Sequence, residues 1–147
     1  MARQLRILLV EDLSDDAYLF SVVRQASHPA AGLQWVTDGQ QAIEYLEGTG
    51  RYRERAKFPI PNLVVLDLRM HRLDGFGFLR WLKQSSHAQI PVVIWTGSLD
   101  PEEIHAAWKL GATSIFPKPV RFEELVGVIG EICERGLRWP IDQPETF

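Results

Sequence analysis

Five short apolar runs alternate along the chain with stretches in which apolar residues recur three or four positions apart. The runs cover residues 5–10, 33–36, 63–66, 91–95 and 113–116. Short runs rich in branched residues predict strands, and the longer intervening periodicity predicts helices. Strands that alternate with helices are joined by right-handed crossovers, so we expect a parallel sheet with helices on both of its faces. The third run is apolar at all four positions, which indicates a strand buried on both sides.

Polar residues mark the expected ends of the helices. Asp38 and Gln41 have the spacing of a capping box. Ser14, Asp74 and Asp100 are the candidate caps of the first, third and fourth helices, and a proline follows Asp100 directly. The last helix is expected over residues 122–134, with Gly136 as its C-cap.

The longest irregular stretch, residues 48–61, is rich in Arg, Gly and Pro. Its basic side chains are compatible with a patch that binds a partner. A connector whose charges face water is the simpler interpretation, since most charge clusters are solvated. The sequence leaves both interpretations open.

Composition narrows the class of protein further. A chain of 147 residues with 46% apolar residues is large enough for one domain with a real core. The formal net charge of −3 argues against direct binding of nucleic acid, whose binding domains are usually basic. Cys133 is the single cysteine and predicts a buried thiol in a reducing compartment. Neither a signal peptide nor a membrane-spanning run is evident, so we expect a cytoplasmic protein that is not attached to a membrane.

Chemically capable side chains follow four of the five predicted strands. Glu11 and Asp12 follow the first strand, Asp67 the third, Thr96 ends the fourth, and Lys118 comes shortly after the fifth. Asp67 taken alone is more simply interpreted as a turn former or a cap at the end of a strand. However, the carboxyl ends of parallel strands meet at one edge of the sheet, where open α/β folds bind ligands. We therefore expect these five side chains to lie close together.

Such a cluster favours phosphoryl chemistry with a divalent cation. Neighbouring carboxylates repel one another unless a cation lies between them, and oxygen ligands suit Mg²⁺ or Mn²⁺ better than zinc. A hydroxyl and an ammonium group beside that cation match the needs of an anionic phosphoryl group. A carboxylate can itself be the nucleophile and form an aspartyl phosphate.

Four segments, in this order and at this spacing, resemble the receiver domains of bacterial response regulators in two-component signalling. The segments are VEDLSDD from Val10, LVVLDLRMHRLDG from Leu63, PVVIWTGS from Pro91 and GATSIFPKPV from Gly111. The resemblance implies an α/β fold of the flavodoxin-like, doubly wound type, with a five-stranded parallel sheet of order 2-1-3-4-5. It implies a receiver domain over residues 1–135, an apolar C-terminal arm over residues 136–147 and no output domain.

The resemblance also implies roles for individual residues. Asp67 would accept a phosphoryl group from a histidine kinase, while Thr96 and Lys118 would contact that group. The implied Mg²⁺ site, which could also take Mn²⁺, consists of Glu11 (acting mainly through water), Asp12, Asp67 and the backbone carbonyl of Arg69. The protein would catalyse only its own phosphorylation and dephosphorylation and would convert no metabolite.

Within this family the chain looks most like small regulators that partner bacterial and cyanobacterial phytochromes. The long Arg-rich connector and the Glu11-Asp12 pair are the features that carry this narrower resemblance. It implies a sensor histidine kinase of the bacteriophytochrome type as the partner. The apolar arm, which contains Trp139, could pack on its own subunit or support a homodimer, and the sequence leaves both open.

The chain departs from the usual family pattern near the site. His71 stands where a proline is usual, and Ile115 stands where an aromatic residue is common. Arg69 and Ser98 occupy positions that in the family influence the lifetime of the phosphoryl group. Two other functions remain as alternatives, a phosphate-independent interaction module and a Mg²⁺-dependent phosphatase with an Asp nucleophile. Such phosphatases usually carry a second Asp at the position of Arg69.

Overall fold

The computed structural model describes residues 3–98 and 100–139. The strands are β1 (Arg6–Val10), β2 (Gly32–Val36), β3 (Leu63–Leu66), β4 (Val92–Thr96) and β5 (Ser114–Pro117). The helices are α1 (Ser14–Ser27), α2 (Gly39–Glu47), α3 (Gly75–Lys83), α4 (Pro101–Lys109) and α5 (Phe122–Arg138), with a 3-10 helix at Gly50–Tyr52. The strands are all parallel in the order β2-β1-β3-β4-β5, which confirms the predicted flavodoxin-like fold. Within the described ranges, no helix combines the length and apolarity needed to span a bilayer.

The core lies in two layers, one on each face of the sheet. Successive strand residues point to opposite faces, so Leu8 and Val10 of β1 belong to the layer under α2 and α3, whereas Ile7 and Leu9 belong to the other. The second layer lies under α1 and α5 and includes Cys133, which is fully buried. The prediction of a buried Cys133 thiol is confirmed, and this burial raises the pKa of the thiol to about 12.

Three of the four predicted N-caps are confirmed. The side chains of Asp38, Asp74 and Asp100 each accept a hydrogen bond from a backbone N–H in the first turn of their helix. The prediction for Ser14 was wrong, because Ser14 is already the first helical residue and Leu13 occupies the cap position. The N–H of Leu13 is donated instead to Oε2 of Glu11, 3.1 Å away, so a residue of the candidate site orders the entry into α1.

Three of the four basic residues in the connector before β3 are exposed, as the interpretation as a solvated segment predicts, and Arg55 is the exception. Arg55 donates hydrogen bonds to the carbonyl oxygens of Tyr45, Leu46 and Phe58 at 2.7–3.1 Å. The ring of Tyr52 is buried against Tyr45, with ring centroids 5.0 Å apart. Arg55 therefore anchors the connector to the carboxyl end of α2, where unpaired helix carbonyls need donors.

The last helix is longer than predicted. Helix α5 continues to Arg138, and Gly136 is buried inside it rather than placed at its C-cap. A Cβ atom at Gly136 would lie 2.7 Å from a methyl carbon of Leu5 and 2.8 Å from one of Leu63. A glycine is needed at position 136 because α5 lies close to β1 and β3, and not because the backbone changes direction there. The arm is described only to Trp139; its remaining part, residues 140–147, lies outside the described residues, and the division at residue 135 stays a prediction.

Substitution of Gly136 tests this packing. We expect Gly136→Ala to lower the free energy of unfolding by about 1–2 kcal/mol, since an added methyl group overpacks the core. Gly127→Ala, in the same helix, is the matched control, because its Cβ would have no heavy atom within 4 Å. That control should gain about 0.5–1 kcal/mol from helix propensity. Urea denaturation measures both, and a stabilised Gly136→Ala would show that the end of α5 does not press on the sheet.

Candidate functional site

The side chains predicted to converge do so at the carboxyl edge of the sheet. The register pairs Val10 of β1 with Leu66 of β3, which places Glu11 beside Asp67. The backbone N–H of Lys118 is donated to the carbonyl of Thr96 at 2.9 Å, which brings the residue after β5 to the end of β4. A cleft of about 360 Å³ opens there. It is lined by Leu13, Asp16, Asp67, Arg69, Thr96, Gly97, Ser98 and Lys118.

Three carboxyl groups at this edge form an acidic cluster. Glu11, Asp12 and Asp67 each offer an oxygen, and these oxygens lie within 4.8 Å of one another. Glu11 is fully buried, and this burial raises its pKa to about 7 although the hydrogen bond to Lys118 acts in the opposite direction. Oε1 of Glu11 has Nζ of Lys118 as a neighbour 2.6 Å away, and Asp12 and Asp67 add two further carboxyl groups beside it. Three carboxyl oxygens this close together fit a hard divalent cation.

Lys118 is the cation that the structure itself supplies to this cluster. Its Nζ lies 2.6 Å from Oε1 of Glu11 and 2.9 Å from Oδ2 of both Asp67 and Asp16. Burial lowers the pKa of Lys118, but the bonds to Asp67 and Glu11 outweigh it and hold the pKa above its usual value. The ammonium group is therefore charged at neutral pH.

Asp16 belongs to the cleft and was not among the site residues predicted from the sequence. Its place in the first turn of the helix that follows β1 could have indicated it, since that turn lies at the carboxyl edge. Lys118 contacts the carboxyl groups of Glu11, Asp67 and Asp16, and Asp12 adds a fourth carboxyl group to the cluster. The excess negative charge strengthens the case for a divalent cation.

Thr96 lines the cleft at the end of β4, and Trp95 lies in the core beside it. Thr96 is buried, and its Oγ1 accepts the backbone N–H of Ser98 at 3.1 Å. The hydroxyl hydrogen of Thr96 is thereby left available to donate. The buried ring of Trp95 lies 5.0 Å from Nζ of Lys118, so its fluorescence should report on changes at the site.

The loop after β3 carries the departures His71 and Arg69. The imidazole of His71 is 94% exposed, and its Nε2 lies 3.8 Å from Oδ2 of Asp12, which places a titratable ring at the edge of the site. The backbone N–H of Arg69 is donated to Oδ1 of Asp67 at 3.3 Å. The guanidinium group of Arg69 pairs with Glu103 in α4, with Nη2 2.8 Å from Oε2.

Comparison with known proteins gives a consistent result. A family model described as the response regulator receiver domain matches residues 7–130. The chain is 34% identical over 137 residues to a probable methanogenesis regulatory protein, FilR2, of Methanothrix harundinacea, covering 90% of this chain and 84% of that one. It is 32% identical over 124 residues to response regulator Rcp1 of Synechocystis, covering 84% and 82%.

Solved structures agree with these relatives. The phosphorylated cyanobacterial phytochrome response regulator RcpA superposes with a TM-score of 0.83 at 26% identity, over 97% of this chain and 98% of that one. The Mn²⁺-bound form of Rcp1 gives the same TM-score at 30% identity, over 96% and 99%. The acidic cluster of Glu11, Asp12 and Asp67 could hold a metal ion of that kind.

Proposed function

The chain belongs to the response regulator receiver domain family of two-component signalling, and we propose that it accepts a phosphoryl group on Asp67 from a sensor histidine kinase. The reaction depends on Mg²⁺ and switches the binding of a partner. One observation carries this proposal: the carboxylate of Asp67 is held at both oxygens, by Lys118 at 2.9 Å and by the backbone N–H of Arg69 at 3.3 Å. A carboxylate fixed in this way at the floor of an open cleft is oriented for attack.

The chain's own residues supply most of what the transfer needs. An oxygen of Asp67 attacks phosphorus while the P–N bond to the kinase histidine breaks, and the departing nitrogen keeps the electron pair and takes up a proton. Lys118 then donates to an oxygen of the bound phosphoryl group, and the free hydroxyl hydrogen of Thr96 donates to another. The expected chemistry of the divalent cation is to offset the negative charge of the carboxylates and of the incoming phosphoryl oxygens.

Glu11, Asp12, Asp67 and the carbonyl of Arg69 are the residues that would hold Mg²⁺ or Mn²⁺, with Glu11 acting mainly through water. Support for this assignment comes from the carboxyl oxygens of Glu11, Asp12 and Asp67, which lie within 4.8 Å of one another. The protein converts no metabolite and catalyses only the gain and loss of its own phosphoryl group.

The partner we propose is a histidine kinase of the phytochrome type. RcpA is described as a cyanobacterial phytochrome response regulator, and it matches nearly the whole of this chain. We also propose that the receiver acts in the cytoplasm and that the C-terminal arm beyond residue 135 supports a homodimer.

Intact mass spectrometry tests the central step. After incubation with acetyl phosphate and Mg²⁺, we expect the wild type to gain the mass of one phosphoryl group and Asp67→Asn to gain none. Asp16→Asn is the matched control, since it makes the same chemical change beside the same lysine and should still be phosphorylated. An equal adduct on Asp67→Asn would overturn the proposal. No adduct on the wild type would favour the phosphate-independent interaction module.

A further inference from the structure

Glu103 forms a bridge between two residues that line the cleft, Arg69 and Ser98. It lies in the first turn of α4 and has a side chain that is only 22% exposed. Its Oε2 accepts from Nη2 of Arg69 at 2.8 Å, and its Oε1 accepts from Oγ of Ser98 at 2.6 Å. One carboxylate of α4 therefore joins the loop after β3 to the loop after β4.

Both ends of this bridge reach the proposed phosphorylation site. The backbone N–H of Arg69 is bonded to Asp67, and the backbone N–H of Ser98 is bonded to Oγ1 of Thr96. Arg69 and Ser98 also line the cleft. The guanidinium of Arg69 is thus attached to the residue two positions after Asp67, but it is held by an anion that lies in another element.

A phosphoryl group on Asp67 would change the balance of charge around Arg69. The phosphoryl group would carry a charge of about −1.5 to −2 in place of the single charge of the Asp67 carboxylate, so the site would become more negative while Glu103 keeps its single charge. Guanidinium groups bind phosphate oxygens through two parallel hydrogen bonds, which makes Arg well suited to such an exchange. The Arg69–Glu103 pair is partly solvated, so its strength is modest and it can be broken.

We propose that Glu103 is a positioning residue that competes with the phosphoryl group for Arg69. This inference rests on the proposed function of Asp67. In the unphosphorylated protein Glu103 holds the guanidinium, and after phosphorylation Arg69 turns to the phosphoryl oxygens. The exchange removes a partner from Glu103, and through Ser98 it loosens the contact between α4 and the loop after β4. Glu103 thereby lowers the affinity of the site for a phosphoryl group and reports its presence to α4.

The test is binding of the phosphoryl mimic beryllium trifluoride in excess Mg²⁺, followed by tryptophan fluorescence. We expect Glu103→Gln to bind the mimic about two- to fivefold more tightly than the wild type, and Arg69→Ala to bind it more weakly by a similar factor. The double variant should match Arg69→Ala, because the competition requires the guanidinium group of Arg69. Glu102→Gln is the control: it removes the same charge from the same turn, its side chain is exposed, and it should bind like the wild type.

The outcomes distinguish a failure of the competition for Arg69 from a failure of the proposed function of Asp67. Equal affinities of Glu103→Gln and the wild type, with binding that requires Asp67, would overturn the competition and leave the proposed function intact. Weaker binding by Glu103→Gln would also overturn it, because Glu103 would then support the bound state. A wild type that does not bind the mimic, or binds it equally after Asp67→Asn, would contradict the proposed function itself.

Discussion

Replacing Lys118 with methionine is expected to lower the free energy of unfolding of the metal-free protein by about 3 kcal/mol at about pH 8. Methionine keeps much of the apolar stem but removes the ammonium group that contacts Glu11, Asp67 and Asp16 within 2.9 Å. The side chains of Glu11 and Asp67 are 0% and 7% exposed, so water replaces the lost cation poorly. Breaking a buried pair by removing one partner is costly for that reason.

The deficit should depend on pH in a defined direction. Burial raises the pKa of Glu11 from 4.5 to about 7, and loss of Lys118 removes a group that lowers it. A carboxyl group whose pKa is higher in the folded protein destabilises the fold as pH rises from its unfolded value through its folded value. The raised pKa of Lys118 has the opposite effect on stability, but this contribution does not change with pH below pH 10.5. The variant should therefore be closer to the wild type at about pH 5 than at about pH 8.

Urea denaturation in the presence of a chelator measures this effect. Lys109→Met is the control, because Lys109 is an exposed lysine at the end of α4 and its loss should change stability by less than about 0.5 kcal/mol. Added Mg²⁺ should recover part of the deficit, since a cation that binds the folded state stabilises it. A deficit that is equal at both pH values would show that ionisation of Glu11 does not cause the loss of stability.

The fold and the centre of the site could be predicted because both follow from regular geometry. Alternating strand and helix patterns specify a parallel sheet, and in such a sheet the carboxyl ends of the strands meet. Asp67 and Lys118 are 51 positions apart in sequence, yet their predicted places at strand ends were enough to bring them together. No side-chain detail was needed for that step.

What could not be predicted depends on contacts between side chains that are distant in sequence. Glu103 looks like ordinary acidic charge at a helix start, and only the structure shows that it holds Arg69, 34 positions away. Gly136 has the local pattern of a C-cap, but its role is set by Leu5 and Leu63 on the strands beneath it. Arg55 likewise reads as a solvated charge until the carbonyls that it binds are known.

Gly75→Ala is expected to lower the free energy of unfolding as much as the loss of Lys118 does, but through a steric clash rather than the loss of a charge. Gly75 is the first residue of α3, and its N–H is donated to the carbonyl of Leu68 at 3.1 Å. A Cβ atom there would lie 2.5 Å from the carbonyl oxygen of Asp67 and 2.7 Å from Cα of Leu68. Both are backbone atoms next to the proposed phosphoacceptor, so the clash can be relieved only by moving the end of β3 or the start of α3.

We therefore expect Gly75→Ala to lower the free energy of unfolding by about 3 kcal/mol, at the upper end of overpacking costs. The fraction that remains folded should be phosphorylated by acetyl phosphate at least about tenfold more slowly, since a small displacement of a reacting group is costly in rate. Gly97→Ala is the control for stability, because it makes the same change close to the proposed site and its Cβ would have no heavy atom within 4 Å. Equal denaturation midpoints for the two variants would mean that α3 can shift away from β3 without cost. In that case the position of Asp67 would depend on its bonds to Lys118 and Arg69 rather than on the packing of the backbone beneath it.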